Sequence, residues 1–435
     1  MFHLGWFLGD GFGIHPWTEP WSGRNGWDWT NPRIYTDLGC ALERAGFDLM
    51  FIEDTSMVED TYGGSMETTL KYGLMAPKND PMPLVPLISQ ATRHLGIVST
   101  MSTIQYPPFL GARLMTTLDH LTEGRVGVNV VTSVTHRVAQ NFGLDAHMAH
   151  AERYEMAMEW MDAVSALWES WEPDAVMVDD DAPRYADHTK VHTVDFEGKY
   201  FKTRGPMNTI PGPQRRPVVA QAGNSGPGRE LAAKHADTML ALARTPEAMK
   251  DLRADMSERM EKYGRKPDEL KILFMTTPWL AETRDEAQAK LDRYNEHRHS
   301  PEAIEKMLWG MSYVSGGEFD YSTYDLDGPV PTAVGNGETT SMKGILKDAE
   351  NLTLRDVVTG PSKYGMDFVG TPDDIAAQMD EVYQETGLDG WLVYSPMTRH
   401  SISLVTDGLA PSLRKRGLIR SSYDGATFRD NLLAF

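Results

Sequence analysis

The chain has 435 residues, of which 41% are hydrophobic, so it can bury a large core. Its 62 acidic residues outnumber its 42 basic residues, and the formal net charge of −20 argues against nucleic acid or an anionic membrane as a partner. Cys40 is the only cysteine, which excludes an internal disulfide and a cysteine-based zinc cluster and fits a reducing compartment. With no signal peptide and no apolar run of about 18 residues, we expect a cytoplasmic protein without a membrane segment.

Hydrophobic patterns in the first half of the chain predict four strands that alternate with helices. The strands are predicted at His3–Leu8, Phe47–Glu53, Gly96–Thr100 and Arg125–Ser133. The main helices are predicted at Thr36–Ala45, Pro83–His94, Phe109–Leu121 and Ala149–Trp171. The loop from Gly9 to Pro32 is rich in glycine, tryptophan and proline, and it is predicted either to pack as irregular structure or to form a pocket wall.

The second half continues the alternation with four further strands and their helices. The strands are predicted at Val218–Ala220, Thr238–Ala243, Leu270–Leu280 and Trp391–Ser395. Helices are predicted from Leu231 to Ala236, at Pro246–Tyr263, Asp285–Tyr294 and Thr371–Gly387, and at a short element that begins near Pro411. Asp174–Pro213 is predicted to be irregular, and the polar, glycine-rich segment Gly316–Ala349 is predicted to be a mobile lid without a core of its own.

Eight strands separated by helices predict a parallel sheet, and the count predicts a (β/α)8 TIM barrel with insertions. We expect one domain over residues 1–435, with insertions near 55–80, 172–213 and 316–349. The rival is a doubly wound open sheet, which carries the phosphate loop of a dinucleotide site after its first strand. In this chain the most suitable phosphate loop follows the fifth strand.

That loop lies in Pro217–Asp237, where a short apolar strand is followed by a glycine-rich turn and a helix. Glycines allow the backbone to approach an anion closely, and the first N–H groups of a helix have no partner within it. Ser225 and Arg229 can add a hydroxyl and a charge. The local pattern therefore fits either a phosphate site or an ordinary strand-to-helix connection with a good N-cap.

Polar residues stand at or near the ends of the second, third and fourth strands, which meet at one edge of a parallel barrel. They are Asp54, Thr100, Asn129 and Ser133. His15, in the loop after the first strand, opens onto the same edge and could donate a proton or a hydrogen bond there; the alternative is a surface histidine.

His150 and Tyr154 are spaced i, i+4 on the long helix and share a face, so they form either a polar pair at a cofactor or a solvated helix start. The motif HExxH is absent, and no metal site is predicted. GxSxG is also absent, and nothing marks a nucleophile. The difficult chemistry is therefore expected to belong to a cofactor.

Eight motifs, in order along the chain, resemble those of the bacterial-luciferase-like flavin monooxygenases, within the group that oxidises nitrilotriacetate, EDTA and dibenzothiophene sulfone. They are RAGFDLMFIED (44–54), GIVSTMSTIQYPP (96–108), LDHLTEGRVGVNVVTS (118–133), HAERYEMAMEW (150–160), FEGKYFKTRGPMN (196–208), QAGNSGPGRELAAKHAD (221–237), FVGTPDDIAAQMDE (368–381) and LDGWLVYSP (388–396).

The resemblance implies a TIM barrel that uses reduced FMN, supplied by a separate NAD(P)H:flavin reductase, and O2 to oxygenate a small organic substrate. It implies FMN contacts from Asp54, Thr100, His150, Tyr154, Asn224 and Ser225, with Asn129 and Ser133 near the isoalloxazine. Those two residues and His15 are the predicted catalytic residues.

Two positions depart from the family motifs. Val128 replaces a tryptophan, which we expect to alter the pocket wall, and Trp391 stands where phenylalanine is common. The aromatic residues Trp17, Trp21 and Tyr106 favour a flat, heteroaromatic substrate. Family analogy implies a homodimer or homotetramer. The alternatives are an oxidoreductase that uses the deazaflavin F420 and a flavin-binding protein without catalysis.

Overall fold

The computed structural model describes residues 1–9, 14, 17–18, 21–347, 349–360 and 365–435. Eight parallel strands in chain order form a closed barrel, because the last strand pairs with the first and the sixth with the seventh. They are β1 (His3–Leu8), β2 (Leu49–Ile52), β3 (Gly96–Ser102), β4 (Val126–Val131), β5 (Val218–Gln221), β6 (Thr238–Ala241), β7 (Lys271–Leu280) and β8 (Gly390–Val393). The predicted (β/α)8 barrel is confirmed, and all eight predicted strands form it.

Helices surround the barrel and its mouth. The longer ones are Pro32–Ala45, Leu84–Ala91, Pro108–Leu121, His150–Trp168, Gly226–His235, Pro246–Lys262, Arg284–His297, Pro301–Val314, Thr339–Leu346 and Pro372–Thr386. Shorter α-helices span Asn25–Asp28, Glu67–Tyr72, His136–Asn141, Leu354–Thr359, Arg399–Ser403, Ala410–Lys415 and Phe428–Leu432. The chain also contains a π-helix at Leu404–Leu409 and 3-10 turns at Tyr62–Gly64, His188–Lys190, Pro267–Glu269 and Tyr321–Thr323.

Capping residues set the helix ends locally. Thr371 and Asp374 form a reciprocal capping box at the start of Pro372–Thr386, and Gly387 ends that helix with φ of 61°. Only glycine adopts such a backbone conformation at little cost, so the helix stops there. Among the described helices, none is long and apolar enough to cross a membrane.

The barrel has one core inside and another outside. Leu49, Val98, Val218, Leu273 and Leu392 fill the interior. The outer faces of the strands pack against the surrounding helices and bury several tryptophans completely, namely Trp6, Trp160 and Trp391. Because side chains alternate across a strand, each strand supplies both cores.

The C-terminal helix Phe428–Leu432 closes the bottom of the barrel. A Cβ on Gly96 would lie only 2.3 Å from the Phe428 ring, so the close approach of that ring requires glycine at this position. Since the bottom is blocked, a ligand can enter the interior only from the opposite end, where the strands terminate.

Several elements were not predicted. A ninth strand of the main sheet, Met366–Gly370, pairs with the C-terminal half of β7, and the helix Pro301–Val314 follows Arg284–His297 after a short break. The stretch Asp174–Pro213, predicted to be irregular, holds two small antiparallel hairpins, Val176–Asp179 with Arg184–Ala186 and Phe196–Glu197 with Lys202–Thr203.

The segment Gly316–Ala349 also differs from its prediction. It contains the helix Thr339–Leu346, and its Tyr321, Met342 and Ile345 are buried in a second hydrophobic cluster with the helix Pro301–Val314. It has no core of its own, as predicted, but the implied unpacked lid was wrong, because its few large apolar residues pack against a partner helix that the sequence analysis did not identify.

Candidate active site

Asn129 and Thr100 are adjacent on β4 and β3 and face the barrel interior near its mouth. The Asn129 Nδ2 donates to Thr100 Oγ1 at 2.9 Å, and the Thr100 hydroxyl donates to the carbonyl of Ile52 at 2.8 Å. Asn129 is 2% exposed, yet its Oδ1 is buried and has no partner among the described residues. A buried amide oxygen without a partner is costly, so this atom suits a ligand N–H or O–H.

Ser133 lies just beyond β4 in a left-handed backbone conformation, with φ of 60°. Its hydroxyl is 2.7 Å from that of Ser102, at the end of β3. Its carbonyl accepts a hydrogen bond from Arg153 Nη1 at 2.7 Å. Non-glycine residues rarely adopt a positive φ, and the hydrogen bond from Arg153 to the Ser133 carbonyl helps to stabilise this conformation. The conformation brings the Ser133 side chain to the barrel mouth.

Asp54 follows β2 at the same edge of the barrel. Burial raises the pKa of its carboxyl to about 7, with nearby Lys78 opposing the shift and Glu53 adding to it. Lys78 forms an ion pair with Glu53, and the Lys78 side chain is only 3% exposed. The sequence analysis did not identify this pair, because Lys78 lies far from β2 along the chain.

His150 and Tyr154 lie on one face of the helix His150–Trp168, and their ring centroids are 5.0 Å apart. Burial, followed by the charges of Arg153 and Lys343, lowers the pKa of His150, so its imidazole is neutral at pH 7. Burial raises the pKa of the Tyr154 phenol, which interacts with Ser225 and Gln221. The phenol therefore remains a hydrogen-bond donor at neutral pH.

The glycine-rich turn brings Ser225 to the N-terminus of the helix Gly226–His235. Its hydroxyl accepts from the backbone N–H of Gly228 at 3.2 Å and caps that helix. The Oδ1 of the preceding Asn224 is buried without a partner among the described residues, as is the Oε1 of Gln221, which is 2% exposed. Donors and unpaired acceptors thus surround one turn.

A cavity of about 370 Å³ lies between His150 and the glycine-rich turn at Ser225. It is lined by His150, Ser225, Gly226, Pro227, Val334, Gly335, Thr339, Thr340 and Lys343. Three elements meet at this cavity: the long helix, the glycine-rich turn and the segment that follows Pro301–Val314. Residues that are distant in sequence therefore form one surface that suits an anion. A helix N-terminus and a lysine both favour negative charge.

Two further buried residues, Arg153 and His147, lie beside this site, and only His147 was considered in the sequence, as a weak candidate metal ligand. Arg153 donates to the carbonyls of Ser133, Asn336 and Gly337, and burial lowers its pKa to about 10. His147 Nε2 lies 2.9 Å from the Thr132 carbonyl, and burial lowers the pKa of this histidine to about 4. The sequence signal that could have identified Arg153 was its position directly before Tyr154. In the structure it lies on the helix face that contacts the loop after β4.

Three other residues were expected to contribute to the site or its wall, namely His15, Val128 and Trp21. His15 lies outside the described residues. Val128 points into the outer core, on the opposite face of β4 from Asn129, so its side chain does not form the pocket wall and that expectation was wrong. Trp21 is 74% exposed and stacks on His400, so its ring does not line an enclosed pocket. Within the described ranges, no three His, Cys, Asp or Glu side chains form a group that could hold a metal.

Comparisons with known proteins agree with this architecture. A family model described as luciferase-like monooxygenase matches residues 3–390. The chain is 35% identical over 421 residues to component A of the nitrilotriacetate monooxygenase of Aminobacter aminovorans, covering 93% of this chain and 90% of the relative. It is 33% identical over 419 residues to the dibenzothiophene-sulfone monooxygenase of Rhodococcus erythropolis, with the same coverage. A solved riboflavin lyase with modified FMN and riboflavin superposes with a TM-score of 0.88 at 29% identity, covering 100% of this chain and 96% of that one.

Proposed function

Because the chain belongs to the luciferase-like monooxygenase family and is a flavin-dependent monooxygenase, we propose that it is the oxygenase of a two-component system. The family and the group that the motifs predicted are thereby confirmed. In the proposed system a separate NAD(P)H:flavin reductase supplies reduced FMN, and the oxygenase uses it with O2 on a small organic substrate. The names of the relatives, which include a nitrilotriacetate and a dibenzothiophene-sulfone monooxygenase, support this class of reaction.

The observation that carries the proposal is the cavity between His150 and the N-terminus of Gly226–His235. The phosphate of FMN fits there, because backbone N–H groups, the Ser225 hydroxyl and the Tyr154 phenol supply donors around one turn. The unpaired oxygens of Asn224 and Gln221 suit the ribityl hydroxyls. The isoalloxazine end would then reach Asn129, Ser133, Thr100 and Asp54 at the barrel mouth.

Reduced FMN, when bound, would supply the two electrons that allow one atom of O2 to enter the substrate while the other leaves as water. Asn129 would orient the ring system, because its unpaired Oδ1 can accept a hydrogen bond from a ring N–H. Asp54, protonated over much of the acidic and neutral range because its pKa is about 7, holds a proton at the same edge. The catalytic role of His15 stays a prediction.

An F420-dependent oxidoreductase is the second candidate, because F420 also carries a phosphate that the same cavity would accept. The two functions differ in their use of oxygen, since an F420 enzyme transfers hydride and needs no O2. Two relatives more than 30% identical to this chain, the nitrilotriacetate and dibenzothiophene-sulfone enzymes, are named monooxygenases, which favours the first candidate.

The test supplies the purified protein with FMN, NADH and a separate flavin reductase, together with a panel of sulfones, sulfides and aminocarboxylates. We expect product only in the presence of oxygen, with one atom of 18O2 incorporated into it. The matched control replaces FMN and the reductase with reduced F420 under argon. Turnover in that control, or product without label from 18O2, would contradict the proposal.

A further inference from the structure

One wall of the cavity comes from the segment 334–346, which lies far along the chain from the glycine-rich turn. Val334, Gly335, Thr339, Thr340 and Lys343 contribute to it. None of these residues was identified from the sequence, because the segment had no pattern that related it to the turn around Ser225. This wall of the cavity is therefore supplied by an element outside the motif that marks the phosphate site.

Lys343 is the one ionic side chain among the residues that line this cavity. It lies on the helix Thr339–Leu346, and within the described part of the chain its ammonium has no hydrogen bond or ion pair. Lys343 is exposed and lines the same cavity as a helix N-terminus, which is also positive, so a weak repulsion screened by solvent acts between them. A dianion between the two would relieve it.

The start of the same segment is fastened to the rest of the site. The side chain of Asn336 accepts from the backbone N–H of His150 at 2.6 Å and donates to the carbonyl of Met148 at 2.8 Å. Arg153 donates to the carbonyl of Gly337 at 3.2 Å. These contacts fix the backbone just before Thr339–Leu346, so the helix that carries Lys343 begins at a defined place beside His150.

We propose that Lys343 binds the phosphate of FMN from the side opposite the N-terminus of Gly226–His235 and so closes the segment 334–346 over the cofactor. This inference rests on the proposed function and adds a phosphate-positioning residue to it. The phosphate, rather than the ring system, is then the part of the cofactor that contacts this segment. A charge-assisted contact of this kind is stronger than one between neutral groups.

The test compares reduced FMN with reduced riboflavin, which lacks the phosphate, by titration under argon that follows the quenching of protein tryptophan fluorescence. We compare wild type with Lys343→Gln, Lys343→Arg and the control Lys347→Gln. The control removes a charge at the end of the same helix but outside the cavity. For Lys343→Gln we expect FMN affinity to fall about tenfold or more while riboflavin affinity is unchanged. Lys343→Arg should retain most of the FMN affinity of wild type, and Lys347→Gln should bind both flavins as wild type does.

A second readout is limited proteolysis of 334–346 with and without FMN. FMN should protect the segment in wild type and not in Lys343→Gln, whereas riboflavin should protect neither. An unchanged preference for FMN over riboflavin in Lys343→Gln, or an equal loss for both flavins, would overturn the inference while leaving the proposed function standing. Wild type that binds neither flavin would instead refute the proposed function, and this inference with it.

Discussion

At the scale of single residues, the site is marked by polar atoms that are buried and half satisfied. Asn129 uses its amide N–H₂ on Thr100 and leaves its oxygen unpaired, and Gln221 and Asn224 also have oxygens without partners. Each such atom costs free energy in a protein without ligand. Their grouping at one end of the barrel is the physical reason to expect a ligand there, since a bound flavin can pair them.

Ser225 offers a test of the phosphate position that preserves the fold. Ser225→Asp keeps a good helix N-cap but places a carboxylate beside a dianion, so we expect FMN affinity to fall at least tenfold with little change in stability. Ser225→Ala is the matched control, because it removes the cap at a cost of about 1 kcal/mol without adding charge. FMN titration and urea unfolding measure the two effects, and equal FMN affinity in Ser225→Asp and wild type would show that the phosphate lies elsewhere.

Asp54 predicts a pH dependence of stability. Burial holds its pKa at about 7 in the folded protein, against about 4 in an unfolded chain. The folded state therefore binds the proton more tightly, and this residue's contribution to stability, complete below pH 4, is lost as the pH rises to 7.

Asp54→Asn has no carboxyl to titrate at this position, so it does not lose stability between pH 4 and 7 in this way. In ligand-free protein, the urea midpoint of Asp54→Asn relative to wild type should increase between pH 4 and 7 and level off above pH 7. Asp181→Asn, in an exposed loop, is the control carboxylate substitution and should show no such window. A pH-independent difference for Asp54→Asn would mean that this carboxyl is not desolvated in solution.

At the scale of elements, the segment 316–349 is a packed part of the molecule. Met342 and Tyr321 are 0% and 1% exposed and lie in one cluster with Leu308 and Met311 of the helix Pro301–Val314. Replacing the whole segment by a linker would expose the apolar face of that helix. The prediction that this segment covers the flavin must therefore be tested by loosening the segment rather than by deleting it.

Met342→Ala is suited to that purpose. It leaves a cavity in the second cluster and should lower stability by about 2–5 kcal/mol in urea unfolding. Met177→Ala, which truncates an exposed methionine of a hairpin, should have almost no effect. If the segment shields the flavin, Met342→Ala should also raise the hydrogen peroxide formed per NADH consumed in the reductase-coupled assay. Unchanged stability would show that the segment packs otherwise in solution, and unchanged coupling would show that it does not shield the flavin.

At the scale of the whole molecule, the chain forms one barrel, and the candidate site lies at the end of the barrel where the strands terminate. It has no GxGxxG turn after a strand, the fingerprint of a dinucleotide site. We therefore expect the purified protein with FMN to oxidise NADH no faster than free FMN does, and added flavin reductase to start rapid consumption. The measurement is absorbance at 340 nm, and rapid NADH loss without reductase would show that the chain supplies its own electrons.

The sequence by itself determined the eight strands, the barrel class and most of the strand-end residues. These depend on local properties: short apolar runs, alternation of side chains along a strand, and capping residues such as Thr371 that act within a few positions. The glycine-rich turn was also identifiable, because helix starts and glycines that permit close backbone approach leave a local signal around Ser225.

Only the tertiary structure decided which distant residues meet. Lys343, Arg153 and Lys78 reach the site through the packing of helices and loops that carry no sequence pattern relating them to the barrel mouth. The same reason explains the error about 316–349: whether a few apolar residues form a core depends on the partner face, here the helix Pro301–Val314. Val128 could be assigned to the outer core only once the closed barrel showed which face of β4 points inward.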